Sequence, residues 1–223
     1  MHAQLVRTLL NLIRQTVSTS PGNWLDVPGE LARYAREYRE YRRLSAGSDE
    51  QVYPHPVLFQ RRQVAFDAHY TYQAAWAMRR ILELAPSRHV DVSSDLRFAA
   101  QLSAVVPLLY VEYRPTNVSL SGLCSQRGSL LQLPFADRSV DSISCLHVVE
   151  HVGLGRYGDP LDTLGPQKAL AELARVVAPG GSMLLSLPVG RCRTMFNAHR
   201  IFDPVAVSKL LPELECVEFS VVT

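Results

Sequence analysis

A chain of 223 residues with 47% hydrophobic side chains is long enough to bury one substantial core. Its 23 basic and 21 acidic side chains leave a formal charge of +2, which excludes recognition of nucleic acid or an anionic membrane by overall charge. Cys124, Cys145, Cys192 and Cys216 are scattered without a CxxC pair, and no apolar run reaches the roughly 18 residues of a span, so the sequence reads as a reduced, cytoplasmic protein without membrane insertion.

Leu5, Leu9, Leu10, Ile13 and Val17 recur at helical spacing and predict an amphipathic N-terminal helix. Pro21 and Gly22 break it. "GELARYAREYREYRRL" then alternates Arg33, Arg36, Arg39, Arg42 and Arg43 with Glu37 and Glu40, the pattern of a solvated helix laced with ion pairs. A polar, proline-bearing loop closes this helical extension, set at residues 1–55. Residues 56–223 form the second domain, which opens on a long helical segment from Val57 to Ala85.

Beyond that segment the texture changes. "RHVDVS", "PLLYVEY", "SVDSISCLH", "SMLLSLPV" and "LECVEFSVV" are short β-rich runs, with helical patterns such as "GPQKALAELARVVAP" between them. Strands alternating with helices predict an α/β fold: a Rossmann-like, doubly wound, mostly parallel sheet with helices on both faces. Ligands of such sheets sit at the carboxyl ends of the strands. Asp91 and Ser93 end the first strand, and Glu112 follows Asp91 at about the 20-residue spacing at which an acidic side chain meets a ribose diol.

The later segments carry a nameable order. Leu133, Pro134, Phe135, Asp137, Ser139 and Asp141 enter a strand, Val149, Glu150 and His151 follow its end, and Leu173, Pro179, Gly180 and Gly181 close a helix before the next strand. This order resembles class I S-adenosylmethionine-dependent methyltransferases. "FDAHYTYQAAW", "HVVEHVGLGRYGDPLD" and "FNAHRIF" more narrowly resemble the DUF268 subgroup, over roughly residues 66–222.

The resemblance implies a methyltransferase using S-adenosylmethionine on a small molecule or glycan. It implies donor contacts from Asp91, Ser93, Glu112, Ser129, Leu130, His147 and Tyr70. Glu150, His151 and His199 are then the candidates for removing a proton from an acceptor. Two departures bear on activity. The turn "DVSSDLRF" holds no glycine, serine does not cheaply adopt positive φ, and Asp95 adds negative charge. Ser129 stands where an acidic residue often contacts adenine. A non-catalytic scaffold that kept the fold is therefore the alternative reading. "LECVEFSVVT" is the expected sixth strand, with nothing after it to form a seventh.

His147 and His151 also match the His-x-x-Glu-His spacing of a zinc hydrolase. Two imidazoles four residues apart share a face only on a helix. Here a strand runs into the motif and Gly153 and Gly155 continue it as a loop, so the histidines point apart and no metal is expected.

Overall fold

The computed structural model describes residues 27–46, 52–54, 66–114 and 116–222. The expected helix at 5–17, the boundary at 55–56 and residues 57–65 of the second helical segment lie outside them. The chain divides into two compact units, Met1–Phe66 and Asp67–Thr223. In the first, α1 (Val27–Leu44) buries no residue. Arg33 pairs with Glu30 and with Glu37 at 3.1 Å, and Arg43 with Glu40 at 2.7 Å, as the charge spacing predicts.

The second unit starts with α2 (Ala68–Leu84), whose N-cap Asp67 accepts a hydrogen bond from the Tyr70 N–H at 3.1 Å. Then follow β1 (His89–Val92), α3 (Leu96–Leu102), β2 (Leu108–Glu112), β3 (Leu123–Arg127) and β4 (Val140–Leu146). After a 3-10 turn at Val149–His151 come α4 (Gly165–Val176), β5 (Val177–Ser186), the hairpin β6 (Arg193–Met195) and β7 (His199–Ile201), and α5 (Pro204–Lys209).

The main sheet runs in the order β3-β2-β1-β4-β5 with every pairing parallel. This is the Rossmann-like, doubly wound fold that the alternation predicts. Period-2 geometry sends Val90, Val92, Leu109, Val111, Ile143 and Cys145 to one face, against Leu170, Leu173 and Val176 of α4. On the other face Leu108, Tyr110, Leu146 and Leu184 pack on Ala77, Ile81, Phe98 and Leu102 of α2 and α3. Among the described residues no helix joins β2 to β3 or β3 to β4.

Two expectations need correction. The tail at 215–222 is not a strand. Its alternation is real, but Glu218 accepts from Trp76 Nε1 at 3.0 Å and pairs with Arg80 Nε at 2.8 Å, which fixes the tail on α2 and leaves Val217 89% exposed. The helix before Gly180 also ends early, at Val176, because Val177 to Pro179 already belong to β5.

Candidate functional site

The carboxyl ends of β1, β2 and β4 lie side by side at the centre of the sheet. Asp91 is fully buried rather than open to a ligand. One carboxylate oxygen accepts from the Ser94 N–H at 3.1 Å and the other from the Ser144 hydroxyl. That hydroxyl proton is committed to Asp91, so Ser144 Oγ must accept from His89 Nε2–H at 2.9 Å, and His89 Nδ1 accepts from the Ser142 hydroxyl at 2.7 Å. Burial pushes His89 down to about 4 and Asp91 up to about 6. Asp91 therefore holds the turn after β1 from below.

Ser93 occupies that turn with φ +56°. A left-handed serine costs about 1–2 kcal/mol, and local bonds hold it there. Its N–H donates to the Val111 carbonyl at 2.9 Å and its hydroxyl folds back onto the same oxygen at 3.2 Å. Ser94 Oγ accepts from Leu146 N–H at 3.0 Å, and Tyr110 donates to the Ser94 carbonyl at 2.9 Å. Asp95 caps α3 and pairs with Arg97 Nη2 at 2.7 Å, so its charge is matched within its own turn.

Glu112 ends β2 half-buried. One of its oxygens accepts from Arg114 N–H at 3.2 Å and the other lies 3.3 Å from the Tyr110 oxygen, whose proton goes to Ser94, so lone pairs stay free on both. Next to it Gly128 donates to the Glu112 carbonyl at 3.1 Å. A Cβ on Gly128 would come within 2.4 Å of Val111 Cγ1, so the chain can pass β2 this closely only as glycine. Of the two adenine-side candidates, Leu130 is a core residue and the Ser129 hydroxyl accepts from Leu131 N–H at 3.2 Å.

His147 follows β4 at φ +54°, and the one-turn 3-10 segment places Glu150 beneath it. His147 Nδ1 lies 2.9 Å from Glu150 Oε1, and His151 Nε2 lies 3.8 Å from the same oxygen. The motif is not an α-helix, yet its two histidines converge on the carboxylate between them rather than pointing apart. No group of three metal-ligating side chains forms among the described residues. Glu150 is 1% exposed and its Oε2 has no hydrogen-bond partner.

From α2, Tyr70 packs 5.8 Å from the His147 ring and His69 meets it edge-on at 6.3 Å. The β6–β7 hairpin supplies the Ala198 carbonyl, which lies 2.6 Å from His151 Nδ1 and accepts from Arg156 Nη1 at 2.9 Å. Burial lowers the His151 pKa, Glu150 opposes it, and the neighbouring His199 on β7 adds slightly to the downward pressure. Tyr157 packs edge-on against His151 at 5.8 Å under the guanidiniums of Arg114 and Arg156. Arg200 donates to the carbonyls of Val152, at 2.6 Å, and Asp162, at 3.2 Å, fixing the loop to the hairpin. Beside them a cleft of about 460 Å³ is lined by Leu154, Leu161, Thr163, Thr194, Phe196 and Arg200.

The structure thus gathers Ser93, Glu112, Tyr70, His147, Glu150 and His151 around the strand ends, seals Asp91 and Leu130 into the interior and leaves His199 at the hairpin. Sequence reasoning missed Tyr157, Arg114 and Arg156. Arg156 and Tyr157 lie in the "RYGDP" loop and Arg114 just after β2, where no periodicity flags them.

Residues 133–220 match a family model described as Caenorhabditis protein of unknown function, DUF268, in agreement with the resemblance read from the sequence. No curated protein matches the chain. Among solved structures, the YcgJ protein from Bacillus subtilis is 17% identical, covering 64% of this chain and 67% of that one at a TM-score of 0.48. A putative sarcosine dimethylglycine methyltransferase from Galdieria sulphuraria is 17% identical, covering 79% and 72%, at a TM-score of 0.47. A possible histamine N-methyltransferase from Thermotoga maritima is 17% identical, covering 81% and 78%, at a TM-score of 0.45.

Proposed function

We propose that this chain, which carries the DUF268 match over residues 133–220, is an S-adenosylmethionine-dependent methyltransferase acting on a small molecule or glycan in the cytoplasm. The observation that carries the reading is the turn after β1: Ser93 takes the left-handed backbone of a glycine and folds its hydroxyl away. A close-approach turn thereby stands beside a Glu112 carboxylate with free lone pairs. These residues fit the donor. Glu112 would accept from its ribose hydroxyls, and the Ser93–Ser94 turn would meet its amino acid end, with Asp95 already paired to Arg97. Tyr70 and His147 would lie at the reacting centre.

When bound, the donor supplies a methyl carbon already activated by positive sulfur. The protein's part is then alignment, exclusion of water and removal of the acceptor proton. The cleft lined by Leu154, Leu161 and Phe196, between the loop after the 3-10 turn and the β6–β7 hairpin, would give the acceptor a partly apolar place. Calorimetric titration with S-adenosylhomocysteine tests the reading. Binding supports it, and no heat at millimolar ligand would leave the fold as a non-catalytic scaffold.

A further inference from the structure

We infer that Glu150 and His147 form a carboxylate–imidazole pair in which His147, through Nε2, is the base that deprotonates a hydroxyl acceptor, with Glu150 as its positioning residue. The inference rests on the methyltransferase reading and deepens it by restricting the acceptor to groups that must lose a proton.

A carboxylate accepts only, so the 2.9 Å contact of Glu150 Oε1 with His147 Nδ1 fixes a proton on Nδ1, and in the neutral ring the lone pair is then on Nε2. That nitrogen has no hydrogen bond among the described residues. The ring around it is held by Tyr70 at 5.8 Å and His69 at 6.3 Å, and the backbone by a bond from His147 N–H to the Ser186 carbonyl at 3.0 Å.

His151 is placed differently. Its Nδ1 proton goes to the Ala198 carbonyl at 2.6 Å, and its Nε2 lone pair faces Glu150 Oε1 at 3.8 Å. A lone pair directed at a carboxylate is not open to an acceptor. Glu150 itself is sealed from the cleft at 1% exposure. Its unpartnered Oε2 is a costly feature for a purely structural carboxylate, and it leaves the negative charge undiluted beside the imidazole.

In the step, the acceptor hydroxyl proton passes to His147 Nε2 as the hydroxyl oxygen bonds to the methyl carbon, and the carbon–sulfur electron pair returns to sulfur. A sulfonium and a neutral imidazole become a thioether and an imidazolium, so charge is conserved and Glu150 stabilises the imidazolium.

Two measurements test the pair without an acceptor. Long-range ¹H–¹⁵N NMR should show His147 as the Nδ1–H tautomer near neutral pH in the wild type. Glu150→Gln, which keeps an acceptor oxygen, should retain that tautomer, and Glu150→Leu should lose it. Mass-mapped acylation by diethyl pyrocarbonate, which requires an open unprotonated nitrogen, should modify His147 at least about fivefold faster than His151. An Nε2–H tautomer in the wild type, a tautomer unaffected in Glu150→Leu, or the reverse order of acylation would overturn the assignment. Absence of S-adenosylhomocysteine binding by the wild type is a distinct failure, that of the underlying reading.

Discussion

At the scale of single residues, Ser93 shows how a missing glycine can be absorbed. Its left-handed backbone carries a penalty that two contacts with the Val111 carbonyl help to offset. In Ser93→Gly the relief of that penalty, about 1–2 kcal/mol, is opposed by lost backbone entropy of roughly 0.5–1 kcal/mol and one lost hydrogen bond of about 1 kcal/mol. Unfolding free energy in urea should therefore move by less than about 1 kcal/mol. Affinity for S-adenosylhomocysteine should rise, because the Cβ no longer holds the ligand back from the turn. A Ser93→Gly protein with unchanged affinity would show that the turn does not face the donor. Glu112→Ala should weaken the same ligand at least about tenfold, since one charge-assisted bond is worth roughly 1.5–3 kcal/mol and 1.4 kcal/mol is a decade. The positions of Ser93, just after β1, and Glu112, at the end of β2, were legible from the strand pattern. The burial of Asp91 was not, since its partner Ser144 is brought to it by sheet register.

At the scale of elements, the segment from Leu133 to Ser139 acquires a physical reason. Arg175, in the last turn of α4, makes two 2.7 Å bonds to Glu172, then reaches the Phe135 carbonyl at 3.0 Å and Asp137 at 2.6 Å. Glu172 in turn accepts from the Leu133 N–H at 2.6 Å. The loop entering β4 is thereby bound to the helix leaving it. Removing the guanidinium strands partly buried Glu172 and the carbonyls of Phe135 and, at 3.4 Å, Leu133, so Arg175→Ala should cost roughly 2–3 kcal/mol in urea unfolding. Arg175→Lys should recover only part of that, because an ammonium cannot reproduce the two-pronged contact. The strands β1, β2, β4 and β5 were readable as short β-rich runs. β3 was not, since Cys124, Gln126 and Arg127 are exposed and the segment lacks an apolar pattern. Nor was the hairpin: its strands are three residues each, and it turns on Asn197 at φ +58°.

At the scale of the whole second unit, the buried polar network sets a pH response. An unfolded histidine takes a proton below its usual 6.5, while buried His89 refuses one until about 4. The unfolded state then binds more protons, and stability falls as pH drops through that window. Asp91 acts oppositely: its carboxyl holds a proton up to about 6 against the usual 3.8, so stability rises as pH drops between those values. Each effect is on the order of 3 kcal/mol, and between pH 4 and 6 they nearly cancel. Asp91→Asn removes one of the two. Urea midpoints taken from pH 7 to pH 4 should fall more steeply in that variant than in the wild type; parallel curves would refute the opposition.

The sheet order has a further consequence, for how the chain is born. β2 and β3 pair with what precedes them, so β1, β2 and β3 can assemble as they leave the ribosome. The other edge of β1 must wait for β4, where Val90 meets Ile143 and Asp91 meets Ser144. Some fifty residues separate these partners, which at about 5–20 residues per second is several seconds of translation. For that interval β1 has an open backbone edge, and His89 and Asp91 lack the serines that satisfy them. A nascent chain paused before Ile143 would expose the centre of its future core.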